Sequence, residues 1–360
     1  MRLLEKRRLL IWGSAVATAV GTLLLSVLSI AQTRVQPDAQ PSPSPTIGVL
    51  RAPAAPYEDG RLTVTNNVPP GALPPANFQF CPEGVTKSWA GRVMTGADFS
   101  NEDLQCADFT GADLTRAKFT NSNLRSASFV DAILDLADLR FVDAQDAVFT
   151  NARLHGTKLD AANLAGAALQ GARLSAASLT ATRFVDSNMK AAHMSGVSMS
   201  GTNLSGADLT GVDLSYANLT FARWQRAVLR NANLVGADLT GGNFANVDFS
   251  GSNLSRTKHD GTVLRGANLA NTTINDANFS ATNMRAITLE NAVVTYTHFN
   301  FVRLENSNLT NTDLTGSNFI GGVLTGVTWE GAKLDGTRWH KTICPDRTMA
   351  NLNRGTCVGH

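Results

Sequence analysis

Chemistry-bearing residues are scarce in this chain of 360 residues. Cysteine occurs four times, at Cys81, Cys106, Cys344 and Cys357, so nothing in the long middle can depend on thiols or a thiolate-bound metal. The six histidines, at 155, 193, 259, 298, 340 and 360, show no metal-ligand spacing. No clustered nucleophile and base is visible, and no glycine-rich phosphate loop appears, so an enzyme is not expected and no cofactor is called for. Proline is nearly confined to one stretch: ten of the 12 lie between Pro37 and Pro75. Charge of one sign is lacking too. The formal net charge is +2, and residues 92–340 hold 20 Lys and Arg against 23 Asp and Glu. That balance gives no footprint for nucleic acid and no polyanion mimic.

What is present is a phrase of five residues that repeats without insertion or deletion from Ala97 to Trp339. Ala112-Asp113-Leu114-Thr115, Ala162-Asn163-Leu164-Ala165-Gly166 and Ala207-Asp208-Leu209-Thr210-Gly211 are clear copies. From Phe99 to Trp339 there are 49 central positions, and all but Ala144 and His259 are Leu, Phe, Met, Trp, Ile or Val. Two residues earlier stands Ala, Ser, Thr, Gly or Val, with Glu102 and Ile287 as the exceptions. A period of five fits neither a helix nor a strand. It counts the sides of a coil, as fixed-period repeats do in solenoids.

The phrase A(D/N)LxG resembles the pentapeptide-repeat family over about two-thirds of the chain. That resemblance implies an all-β fold, a right-handed quadrilateral parallel β-helix with one pentapeptide per side and four pentapeptides per coil. Large and small residues alternating inward would fill such a narrow bore at ordinary packing density. The repeat region then makes about 12 coils, roughly 60 Å long at ~4.8 Å per stacked strand. Some family members protect or inhibit topoisomerases as DNA-shaped mimics. That role implies a strongly acidic face and a cytoplasmic location, and neither is expected here.

The rest of the chain divides around the repeat. Residues 1–31 pair a basic start, with Arg2, Lys6, Arg7 and Arg8, with an uncharged apolar run from Leu9 to Ala31. The run is long enough to cross a bilayer as a helix, leaving everything after it outside. Ser29-Ile30-Ala31 also fits a cleavage site, so 1–31 reads either as a membrane anchor or as a removable signal peptide. Arg7-Arg8 reads as an ordinary basic flank. Residues 32–76 form a proline-rich, disordered linker. Residues 77–96 are expected to cap the first coil, with Phe78, Phe80 and Trp89 as plugs. The β-helix proper is assigned to 97–340, and a cysteine-containing tail to 341–360. Pairing Cys81 with Cys106 and Cys344 with Cys357 would staple both caps, which suits an oxidising compartment. The tail from Cys344 to Cys357 also resembles that of exported bacterial repeat proteins. A zinc site would need all four ligands together, and the two pairs stand at opposite ends of the rod.

Departures from the repeat are the places to look for more. His259 and Ala144 occupy inward positions, where an imidazole needs partners and an alanine leaves room. At the corner, two residues after the centre, only Leu136, Phe141, Tyr216, Phe221, Tyr296 and Phe301 are large and apolar. They form two series, each recurring every four coils, which implies duplication of a four-coil unit. Two readings stand open: a surface for a protein partner or for self-association, or covers over small residues on the coils above and below.

The sequence therefore points to a non-enzymatic scaffold, exported and then either tethered to a membrane facing the periplasm or lumen, or secreted.

Overall fold

The computed structural model describes residue 81 and residues 87–350 and 355–359, all within the unit Val49–His360. The apolar run 9–31, the proline-rich linker, Phe78 and Phe80 lie outside the described residues.

Parallel bridges join each outward residue to the one four pentapeptides later, from Ser88 with Asp108 to Val323 with Ile343. The ladder therefore runs past both bounds expected for the repeat. No α-helix occurs among the described residues. Every fifth residue from Gly91 to Lys341 has positive φ, so each coil turns four times. The result is a four-sided parallel β-helix.

Backbone bookkeeping explains the phrase. The central N–H donates to the following coil, as Phe109 does to Ser128 O at 2.8 Å, and the residue before it donates to the preceding coil, as Asp113 does to Arg92 O at 2.9 Å. The corner N–H also reaches forward, Gly111 to Val130 O at 2.8 Å, and the small residue closes the turn, Ala112 N–H to Phe109 O at 3.0 Å. One donor per pentapeptide is left, the N–H just after the centre. The Asp or Asn of the phrase accepts it: Thr110 N–H donates to Asp108 Oδ1 at 3.0 Å and Thr210 N–H to Asp208 Oδ1 at 3.1 Å. These are side-chain turns of the kind short polar residues favour.

The inward positions form one continuous column. Central side chains from Phe99 to Leu324 are fully buried, with the small residue of each side beside them. Where that residue is Ser or Thr, its hydroxyl donates to a central carbonyl, as Thr157 does to Leu134 O and Thr182 to Leu159 O, both at 2.8 Å. Aromatic rings gather at the ends. Trp89 stacks on Phe109, Phe109 on Phe129 and Phe129 on Phe149, at 4.9, 5.0 and 4.8 Å. At the other end Phe279, Phe299, Phe319 and Trp339 stack in one file.

A disulfide staples each end. Cys81 is bonded to Cys106 and Cys344 to Cys357, with Cα separations of 5.7 and 5.2 Å. After the last coil the chain folds back, Ile343 pairing antiparallel with Met349. Cys344, Ala350 and Cys357 then join the core cluster.

Candidate interaction face

Corner geometry decides which side chains can point out where they do. All corner residues have left-handed backbone conformations, a region that β-branched residues avoid. Accordingly none of the corners from 91 to 341 is Val, Ile, Thr or Pro. Large apolar residues placed there are limited to unbranched-Cβ types such as Leu, Phe and Tyr. Leu136 and Phe141, with φ of 59° and 62°, and their successors in the two series fit that rule.

The bridge register aligns these six residues on the two edges of one face. Leu136, Tyr216 and Tyr296 stand on one edge; Phe141, Phe221 and Phe301 stand on the next. Each pair flanks one outward residue, Asp138, Asn218 or His298. The Phe and Tyr rings are 56–67% exposed and Leu136 is 49% exposed, while most other large hydrophobics of the described region are buried.

Five of the six also rest on a glycine one coil later. A methyl group built on Gly236 would meet the Tyr216 ring at 2.7 Å, and one on Gly241 would meet Phe221 at 2.7 Å. Gly316 and Gly321 stand in the same relation to Tyr296 and Phe301, and Gly156 to Leu136. The covering is one-sided: Gly201, on the coil before Phe221, has nothing within 4 Å. One ring face is used internally, and the other faces solvent.

Polar residues on this face form the expected charge ladder, Asp98, Lys118, Asp138 and Lys158. Arg140 clasps Asp138 through Nη2 at 2.6 Å and Nε at 2.8 Å, which holds the Asp138 carboxyl below its ordinary range. Lys118 and Asp98 are 4.0 Å apart and exposed, so that pair contributes little.

Inside the bore, His259 is fully buried. Its ring stacks on Phe279 at 4.0 Å, making it the first member of the C-terminal aromatic file. Nε2 lies 2.9 Å from Thr257 Oγ1. That hydroxyl spends its proton on Leu254 O at 2.6 Å, so Nε2 carries the imidazole proton and donates. Nδ1 is left bare and unpartnered. Burial pushes the imidazole pKa down to about 3. The inward imidazole is enclosed and only half of its need for partners is met, because the stack admits the flat ring but offers no donor. Ala144 is fully buried as well.

Among the described residues no group of His, Cys, Asp or Glu could hold a metal ion, and no helix is long and apolar enough to cross a membrane. What sequence reasoning missed is the duty of the Asp and Asn of the phrase. The signal was their fixed place one residue before the centre.

A family model described as pentapeptide repeats matches eight copies, over residues 93–129, 137–175, 158–196, 172–211, 213–251, 248–285 and 287–326. No curated protein is significantly similar. Among solved structures, HetL from the cyanobacterium Nostoc, described as a pentapeptide repeat protein involved in heterocyst differentiation regulation, is 23% identical. The match covers 72% of this chain and 92% of that one, with a TM-score of 0.23. Rfr23, a pentapeptide repeat protein from the cyanobacterium Cyanothece, is 24% identical over 36% of this chain and 89% of its own, with a TM-score of 0.29. QnrB1, a plasmid-mediated fluoroquinolone resistance protein, is 18% identical over 52% and 90%, with a TM-score of 0.29. Likeness at these scores says nothing of this chain's activity.

Proposed function

Because the chain belongs to the pentapeptide-repeat family, we propose that it is an exported, non-enzymatic scaffold: a right-handed β-helical rod of about 12 coils that presents a binding face outside the cytoplasm. The observation that carries the binding role is the set of three exposed apolar corner pairs at equal intervals along one face. Aromatic residues are the usual anchors of protein interfaces. Solvent-facing rings on a rigid, regularly hydrogen-bonded frame meet a partner with little further loss of conformational freedom.

Export rests on the sequence. The basic start and the apolar run 9–31 lead the chain into a membrane, as an anchor or a removable signal, and 32–76 would hold the rod at a distance from it. Two bonded cysteine pairs suit an oxidising compartment. Catalysis has no place in this reading, since the column is closed by packing and the outward polar groups are spent on turns and ladders.

The test is fractionation of cells that make the protein, with the mass of the mature chain. A membrane-bound chain of full length, or an extracytoplasmic one beginning after Ala31, is expected. A soluble cytoplasmic product of full length would overturn the export reading.

A further inference from the structure

We propose that the face bearing the six corner residues pairs with the same face of a second copy, the two rods running antiparallel about Asn218. This pairing rests on the interface reading above and names its occupant.

Spacing supports it. The three apolar pairs are four coils apart, roughly 19 Å at ~4.8 Å per strand. A twofold axis across the face at the middle pair brings all three into contact at once. Tyr216 then meets Tyr216 of the second copy and Phe221 meets Phe221. Leu136 meets Tyr296, and Phe141 meets Phe301. Such an isologous arrangement closes on itself and leaves no patch free to build fibres.

Charge supports it too. The bridged file along the middle of this face runs from Asp98 through Asn218 to Arg338. Folding it about Asn218 sets Asp98 against Arg338 and Asp138 against His298. Lys118 and Lys158 fall on Asn318 and Asn278, while Asp238 and Lys258 fall on Ser198 and Ser178. No charge meets its like. A parallel pairing about the rod axis fails this check, since it sets Asp138 on Asp138, Lys158 on Lys158 and Lys258 on Lys258. Like charges directly opposed disfavour that arrangement.

The available area is sufficient. A face roughly 60 Å long and about 10 Å wide offers on the order of 600 Å² per copy, near the lower bound of stable interfaces.

The full chain in detergent is the material for the test. Sedimentation, with the bound detergent subtracted, should give twice the chain mass, and replacing Phe141, Phe221 and Phe301 together by Ser should give one chain mass. Orientation is read by introduced thiols, since the four native cysteines are bonded. Asp138→Cys mixed with His298→Cys should cross-link under mild oxidation, and neither variant should cross-link alone. Cross-linking of Asp138→Cys with itself would overturn the antiparallel pairing. A native chain of single mass would overturn self-pairing altogether. So would a triple Ser variant that keeps the double mass and only melts earlier. If the single-mass native chain still captures another protein through this face, the scaffold reading survives while self-pairing fails.

Discussion

His259 makes acid sensitivity assignable to one side chain. In the folded chain its imidazole is neutral, with a pKa of about 3; in the unfolded chain it titrates near its ordinary ~6.5. Lowering pH through that window protonates only the unfolded state, so stability is fully present above about 6.5 and falls until the folded ring also titrates near 3. At pH 5 the unfolded chain gains about 1.5 log units of proton binding, which is about 2 kcal/mol of lost stability. Carboxylates held below their ordinary range by hydrogen bonds, such as Asp113 and Asp138, are common to the native protein and the variant, so their contribution cancels in the comparison. Replacing His259 with Leu, the commonest central residue, removes this pH-dependent loss and the unpartnered Nδ1 without opening a polar gap, because Thr257 still donates to Leu254 O. The measurement is urea unfolding of native protein and His259→Leu at pH 8 and pH 5. The native protein should lose about 2 kcal/mol more than the variant on acidification. Equal losses would refute the reasoning and mean that the imidazole is charged or hydrated in the folded state.

Asp113 accepts from both the Thr115 N–H, at 3.0 Å, and the Thr115 hydroxyl, at 2.6 Å; Asp113→Ala should destabilise by about 1 kcal/mol, with Asn in its place recovering most of it in thermal unfolding. Corner glycines differ by neighbour: Gly201→Ala meets open space and should cost about 1 kcal/mol from left-handed backbone alone, whereas Gly241→Ala must also displace the Phe221 ring and should melt lower. Cys344→Ser with Cys357→Ser opens the link that holds the tail in the core, and should lower stability by about 3 kcal/mol. Hydrogen exchange should then rise first in the last coil, as expected where each coil contacts only its neighbours.

The central and small positions were legible because burial and chain direction repeat together: once a coil holds four pentapeptides, Leu114 and Ala112 have nowhere to point but inward. Corners were legible as a place, but a run of Gly, Asn, Ala and Arg does not announce that all share left-handed φ. Asp108 and Asp208 were read only as part of a phrase; their bonds to a backbone donor two residues later emerge when every ladder hydrogen bond is assigned. Recurrence every four coils put Tyr216 and Phe221 on neighbouring edges of one face. It could not tell that each ring leans only toward the following coil, onto Gly236 and Gly241, because that lean is set by side-chain packing and not by register. His259 was placed inward by period alone, whereas its bare nitrogen depends on where Thr257 sends its single proton.

The most direct test of the account is the thiol state of the chain in the cells that make it. Rapid acid quenching, alkylation and mass mapping should find Cys81 bonded to Cys106 and Cys344 to Cys357, with no native cysteine alkylated, in a fraction outside the cytoplasm. Four alkylated cysteines on a soluble cytoplasmic chain would contradict it.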